Sequence, residues 1–367
     1  MAKVITPQSL FTLLQSQSPI TLVDVRTPEE YARGSLYESI NIPVLDIPRK
    51  ASSLRKAASV VTFCNYGAVS RKAAGQLAAK GIPSVALEGG LKAWNAMYDV
   101  VPIPERGSSL TLYQVKRLGK GCLSYIVVLP DNTSVIIIDP SHHTETYTAF
   151  LKTHHWNAVA IVDTHIHTDH LSGGRLLAKN LSAPYLLPKG SVVEFPFDVL
   201  EERLPKLAVG ASITFYKTPG HTPESVSILF DELFLISGDT LFVDAISHTS
   251  PGNDQEAMSK QLYTSITSIL FSLKDPIHIL PAHTAQPMIP GPLRSATLRY
   301  VKLFNQIKEF PTAKAFSDYL RSHPVASSPA HQTITAYNRA KTVSKTVDVD
   351  ELELLSNTFG TPTPDMA

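Results

Sequence analysis

The sequence predicts an α/β protein of two unlike α/β units followed by a helical C-terminal stretch. Two observations carry this reading. Residues 1–100 alternate strand-like and helix-like segments, the pattern of a parallel sheet covered on both faces. After a Pro-, Gly- and Ser-rich stretch at 101–109 the pattern changes to successive strands joined by short turns, which pair antiparallel.

Taken in order, Thr6-Pro7 opens an amphipathic helix: a capping hydroxyl, then proline at the first helical position, where its missing N–H costs nothing. Residues 20–24 read as a strand. Thr27-Pro28-Glu29-Glu30 repeats the helix-start signal, and Gly34 stops that helix. A strand at 59–63 runs into Cys64 and a short loop; a helix at 70–80 is closed by Gly81; 84–87 is a strand and 89–94 begins a helix. Beyond the linker, 110–116, 123–129 and 134–139 are strands, with Pro130-Asp131-Asn132 turning between the last two. Residues 158–163, 212–217, 233–237 and 277–280 add further strands. Met258, Leu262, Ile266, Ile269 and Leu273 recur at helical spacing and place a helix over 254–273. Helices follow at 295–310, 312–322 and 332–341. The expected organisation is therefore a first domain at 1–100, a linker at 101–109, a second domain at 110–295, a helical extension at 296–345 and a loose tail at 346–367.

Composition narrows the function classes. In 367 residues, 33 Lys+Arg stand against 32 Asp+Glu, and 43% of residues are hydrophobic. That supports real cores and gives neither nucleic acid nor an anionic membrane surface an electrostatic footprint. The apolar runs at 125–129 and 158–162 are far too short to span a bilayer. The first residues lack an uninterrupted apolar stretch, so no targeting segment is expected and the chain reads as cytoplasmic. Two cysteines exclude a disulfide scaffold. Against thirteen histidines, they also mean that a transition-metal site would use imidazole and carboxylate.

The sharpest motif is Thr164-His165-Ile166-His167-Thr168-Asp169-His170, directly after the strand at 158–163. Residues two apart on an extended segment point the same way, so His165, His167 and Asp169 can project together. Imidazoles this close repel when protonated and are costly to bury unpaired; a bound cation resolves both problems. His221 in Thr218-Pro219-Gly220-His221, Asp239 in Ser237-Gly238-Asp239 and His283 in Pro281-Ala282-His283 each follow a strand, where open α/β sheets gather their sites. The remaining histidines have no such spacing and read as surface or packing residues, with His248 near enough to Gly238 to approach the cleft. This ordered set resembles the metallo-β-lactamase superfamily over about residues 110–295. The resemblance implies an αββα sandwich with a metal site at one edge. It implies His165, His167 and His221 as a first metal site, Asp169, His170 and His283 as a second, and Asp239 as the bridging carboxylate.

Cys64 lies between a strand end and a helix N-terminus, where unpaired backbone N–H groups stabilise an anion carried on sulfur. Position alone leaves a buried core thiol equally open. Its surroundings, Asp24-Val25-Arg26 with Glu30, Gly34, Asn41-Ile42-Pro43, Gly67, Gly89-Gly90 and Trp94, resemble a rhodanese domain. The resemblance implies that Cys64 carries sulfane sulfur as a persulfide in a cradle of Asn65, Tyr66, Gly67, Ala68, Val69 and Ser70, with Asp24 and Arg26 in support. The usual loop reads Cys-x-x-Gly-x-Arg-Ser; Val69 holds the Arg position here, so an anionic donor such as thiosulfate loses a partner. Cys122, at the start of a strand, reads as a packed core thiol.

The pair of domains resembles the persulfide dioxygenase–rhodanese group, which is similar to glyoxalase II in fold. The resemblance implies one Fe(II) on His165, His221 and Asp239, with Cys64 and Asp169 as catalytic residues. It implies a glutathione-like persulfide or thiol, O₂, and sulfite or thiosulfate as partners. The alternative is a dinuclear hydrolase with two Zn that cleaves thioesters, since all seven ligand positions are present. A sulfur-binding or redox-sensing protein is a third reading, disfavoured by the complete ligand set. Relatives continue past Gly-Asp-Thr-Leu-Phe with Gly-Arg-x-Asp; this chain has Val243-Asp244-Ala245-Ile246, so the usual carrier contact is missing. A homo-oligomer is left open.

Overall fold

The structure, a computed structural model, describes residues 2–104, 107–251, 254–284, 288, 290–324, 329–342, 348–354 and 360–362. The first unit is built on a five-stranded sheet in the order Val4–Ile5, Ser84–Leu87, Val60–Phe63, Thr21–Asp24, Ile40–Asn41. Every pairing in it is parallel, as the strand–helix alternation requires. The helix-start signals act as expected. Thr6 Oγ1 accepts from Ser9 N–H at 3.1 Å. Thr27 and Glu30 form a reciprocal capping box, with Glu30 N–H on Thr27 Oγ1 (3.3 Å) and Thr27 N–H on Glu30 Oε2 (3.1 Å).

The second unit is a sandwich of two sheets. One has seven strands, in the order Asp198–Val199, Tyr185–Leu187, Asn157–Val162, Ser134–Ile138, Cys122–Val128, Thr111–Arg117, Tyr98–Ile103. The other has five: Ile213–Lys217, Val226–Phe230, Phe234–Gly238, His278–Pro281, Ala296–Thr297. The meander expected from the turn at 130–132 is antiparallel. Strand alternation distributes the side chains. Tyr125, Val127, Ile136 and Ile138 meet Ile228, Phe230, Phe234 and Ile236 in one core between the sheets. Their neighbours Ile126, Val128, Val135 and Ile137 face outward onto Tyr147, Leu151 and Leu177 of the helices Glu145–His154 and Gly174–Leu181. On the far side Leu229, Leu235 and Ile279 pack against Leu262, Ile266, Leu298, Val301 and Phe316. The layers are helix, sheet, sheet, helix.

Three boundaries differ from the sequence reading. The expected linker at 101–109 begins inside a strand, because Tyr98–Ile103 pairs in full register with Thr111–Arg117. The helix expected over 295–310 starts at Leu298, after Ala296–Thr297 has joined the second sheet and Thr297 has capped it by accepting from Tyr300 N–H. Asp348–Leu354, within the expected loose tail, is docked. Glu353 is fully buried and ion-paired with Arg117 at 2.6 Å, and Asp348 reaches Lys92 at 2.7 Å.

Candidate active sites

Strand Val60–Phe63 delivers Cys64 to the N-terminal end of helix Ala68–Ala78. Gly67, in the left-handed region, caps that helix, so it starts two residues before the expected 70–80 and Ala68, Val69 and Ser70 lie in its first turn. Gly67 N–H donates to Cys64 Sγ at 3.2 Å, and the sulfur lies 3.6 Å from Ser70 Oγ, which itself donates to Gly67 O. Gly90 backs the loop with φ +64°; a Cβ there would stand 2.2 Å from Cys64 O. Leu91 and Lys92 N–H groups then donate to Cys64 O and Asn65 O. The sulfur is nearly buried, at the foot of a cavity of about 300 Å³ whose walls include Val25, Val44, Ala68 and Val69. Arg26 also lines this cavity, but its charge is spent. It pairs with Asp24 at 2.6 Å and donates to Gly34 O and Asn65 Oδ1. Asn65 in turn donates to Glu30 Oε1 at 2.9 Å, which ties the cradle loop to the capping box.

In the sandwich, the strand ends bring the expected histidines and aspartates to one buried place and divide them. His165, His221 and Asp239 form one donor group: Asp239 Oδ2 is 3.6 Å from His165 Nε2 and 3.4 Å from His221 Nε2. Asp169, His170 and His283 form a second. His283 bridges the two, with Nε2 2.8 Å from Asp169 and Nδ1 2.6 Å from Asp239. His167 lies between the two groups, its ring centre 4.3 Å from that of His165 and 4.2 Å from that of His170, while its Nε2 is 3.4 Å from Asp139 and 3.8 Å from Asp163. The orienting contacts are specific. His221 Nδ1 donates to His248 O at 2.7 Å, which leaves Nε2 as the inward nitrogen. Thr164 binds Asp139 through N–H and hydroxyl and reaches His165 Nδ1 at 3.0 Å. His248 thus serves the site through its backbone carbonyl.

Cys122 corrects the sequence reading. It is buried as expected, but within the second donor group rather than in apolar packing, because its strand end forms a β-bridge with His283. Burial would push its thiol up; His170 and His283 pull it down to about 6. His170 moves the other way, from a burial that lowers it to about 9, under Cys122 and Asp169. No local spacing links Cys122 to His283, so pattern reading had no signal for it. Asp139 and Asp163, at the ends of neighbouring strands, were missed for the same reason. His142 and His143 share Asp350 at 3.2 and 3.0 Å, and their other ring nitrogens face Glu353 at 2.9 Å and the Tyr98 hydroxyl at 3.2 Å.

The buried donors fit a cation. His165 Nε2, His170 Nε2 and Asp239 Oδ2 have no hydrogen-bond partner, though each belongs to a residue almost wholly removed from solvent. Burial opposes charge on Asp239, yet His283 and His221 hold its carboxyl well below the usual range. Imidazole and carboxylate converging without partners are what a transition metal uses.

Comparison with known proteins agrees with this geometry. Residues 118–305 match the metallo-beta-lactamase superfamily, half of the chain. The chain belongs to this superfamily. Residues 6–97 match the rhodanese-like domain, so the two families are fused in one chain. A sulfurtransferase of Allochromatium vinosum is 36% identical over 26% of this chain and 89% of its own length. A hydroxyacylglutathione hydrolase of Glaesserella parasuis is 28% identical over 36% of this chain, which spans only 56% of that relative's length. A metallo-beta-lactamase structure from Staphylococcus aureus superposes with TM-score 0.55 at 26% identity, covering 64% of this chain and 73% of its own. The chain is thus a metal-binding member of the superfamily joined to a rhodanese domain. Among the described residues no helix is long and apolar enough to cross a membrane.

Proposed function

We propose that this chain is an iron-dependent persulfide dioxygenase whose rhodanese domain carries sulfane sulfur on Cys64. The observation that supports it is the convergence of His165, His221 and Asp239 into a two-histidine, one-carboxylate group. Three protein donors leave open positions for a substrate sulfur and O₂. Fe(II) held there supplies the electron route between persulfide sulfur and O₂. The overall reaction converts a low-molecular-weight, glutathione-like persulfide, O₂ and water to the thiol, sulfite and protons. The protein's own part is positional. His248 O fixes the His221 ring, Thr164 fixes His165, and the imidazole of His283 holds Asp169 and Asp239 in one orientation. Asp169, held ionised by His283 at 2.8 Å and His170 at 3.1 Å, would add negative charge beside a metal bound there. At the other site, the Cys64 cradle offers no unpaired cation among its lining residues, which suits a thiol persulfide better than thiosulfate.

A second reading, a dinuclear zinc thioesterase of the hydroxyacylglutathione hydrolase kind, is favoured by the intact second donor group and by the G. parasuis relative. Metal analysis of anaerobically purified protein, with oxygen uptake on glutathione persulfide, separates the two. One iron per chain and rapid uptake are expected; stoichiometric zinc, no uptake and fast thioester hydrolysis would overturn the proposal.

A further inference from the structure

Apart from Thr164 O, which accepts from Val226 N–H, and the bridge between Ser172 and Ser141, the histidine loop lies outside the sheets and helices that would satisfy its backbone. It runs from Thr164 to Ser172 between strand Asn157–Val162 and helix Gly174–Leu181, and it is almost entirely buried. Buried main-chain groups need partners. Four of them, His167 O, His170 O, Leu171 N–H and Ser172 N–H, find partners in side chains of the C-terminal region. Asn338, on helix Pro329–Arg339, donates from Nδ2 to His167 O and His170 O, each at 2.8 Å, and its Oδ1 accepts from Ser172 N–H at 3.1 Å. Glu353 accepts from Leu171 N–H. Both side chains are held. Asn338 is only 8% exposed, and Glu353 is fully buried between Arg117 (2.6 Å) and His142 (2.9 Å). Asn95 also donates to Glu353 O, fixing its backbone. One amide and one carboxylate therefore grip both sides of the peptide that carries His167, Asp169 and His170.

From this geometry we infer that Asn338 and Glu353 are positioning residues for the metal-donor loop. The extension after the second sheet completes the metal site through the backbone, without contributing a ligand. This inference rests on the site binding a metal and not on which reaction that metal supports.

The test compares full-length wild type with Asn338→Asp, which keeps the acceptor for Ser172 N–H and loses both donors, and with Glu353→Gln, which keeps an acceptor for Leu171 N–H and loses the charge. Three quantities are read: Zn(II) and Co(II) affinity by chelator competition, the visible spectrum of the Co(II) form, and hydrogen exchange of peptides covering 164–172 in metal-free protein. For Asn338→Asp we expect affinity to fall about 10- to 100-fold, the range for residues that orient ligands, with an altered Co(II) spectrum and faster exchange confined to 164–172. For Glu353→Gln we expect a smaller change in the same direction. Sulfurtransferase activity at Cys64 should stay at the wild-type level in both, which reports an intact first unit, and a cooperative thermal transition reports that the second unit is folded. Unchanged affinity, spectrum and exchange in folded variants would overturn the inference, as would exchange that rises throughout the chain. If Asn338→Asp does not fold, Glu353→Gln decides by the same readouts. Wild type that binds neither metal would refute the metal-site reading separately, and loop exchange in the variants would still decide this one.

Discussion

The two sites of this chain are built in opposite ways. The Cys64 site centres on one continuous segment, in which a strand end, a left-handed glycine and the first turn of a helix hold a single sulfur, braced from outside by Arg26 and Gly90. The metal site is assembled from strand ends far apart in sequence, and its chemistry resides in imidazoles and carboxylates that only tertiary structure brings together. A contiguous site is robust to what happens elsewhere and sensitive to backbone shape. A dispersed site depends on the packing of the whole sandwich and on the protonation of its donors.

The largest expected effects test the independence of the two. Cys64→Ser should abolish sulfurtransferase activity and leave metal content and oxygen uptake at wild-type values; retained transfer would show that the cradle holds the wrong atom. Asp239→Ala should do the reverse. Loss of the carboxylate shared by His165, His221 and His283 should cost more than the ~10–100-fold in metal affinity seen for outer-shell residues, with cyanide-dependent sulfur release from Cys64 unaffected.

Backbone sensitivity is sharpened by Gly90→Ala. A methyl group at φ +64° would press on Cys64 O, Gly67 N and Asn65 C. The expected cost is about 1–3 kcal/mol of stability, together with a marked loss of sulfur transfer. Metal content should not change; a fall in both would mean that the two sites are mechanically one.

The smallest effect separates the halves by pH. All thirteen histidines lie beyond residue 141, so only the second unit carries them. Burial, above all, holds His143, His221 and His248 down to about 4. In the unfolded chain each takes up its proton near ~6.5. The unfolded state therefore binds more protons between those values, and stability rises with pH across that window. Through these three groups, metal-free protein should lose stability progressively from about pH 6.5 toward pH 4, whereas His170, held up to about 9, contributes the opposite slope above 6.5. Limited proteolysis at pH 5 should open the second unit before the first; the opposite order would break the assignment.

This contrast also explains what could be read from the sequence. Capping signals such as Thr27 to Glu30, and the short loop after Cys64, encode local geometry in adjacent letters, so the first site was legible almost residue by residue. The histidine motif was legible as a donor cluster, and the double-sheet fold followed from it. The carboxylates around the donors were not. Spacing gave no sign of Asp139 and Asp163, from neighbouring strands, which face His167 Nε2 at 3.4 and 3.8 Å. Cys122 was hidden for a related reason, since the β-bridge that places it beside His283 leaves no mark on its own neighbourhood. Glu353 lay in a stretch rich in polar and small residues that resembles a free tail until its partner Arg117 is known.

The strand Tyr98–Ile103 makes the boundary between the halves lopsided. It follows directly on Trp94, which is buried in the core of the first unit, yet it forms the outer strand of the second unit's sheet, and its Asp99 pairs with the buried Lys116 at 2.8 Å. Residues 6–97 carry a whole rhodanese module that recombination could lift out and attach elsewhere. The remainder, started at residue 104, would expose the unpaired backbone of Thr111–Arg117 along one side, an invitation to sticking and misassembly. Inheritance of the second unit by another protein would have to bring this borrowed border with it.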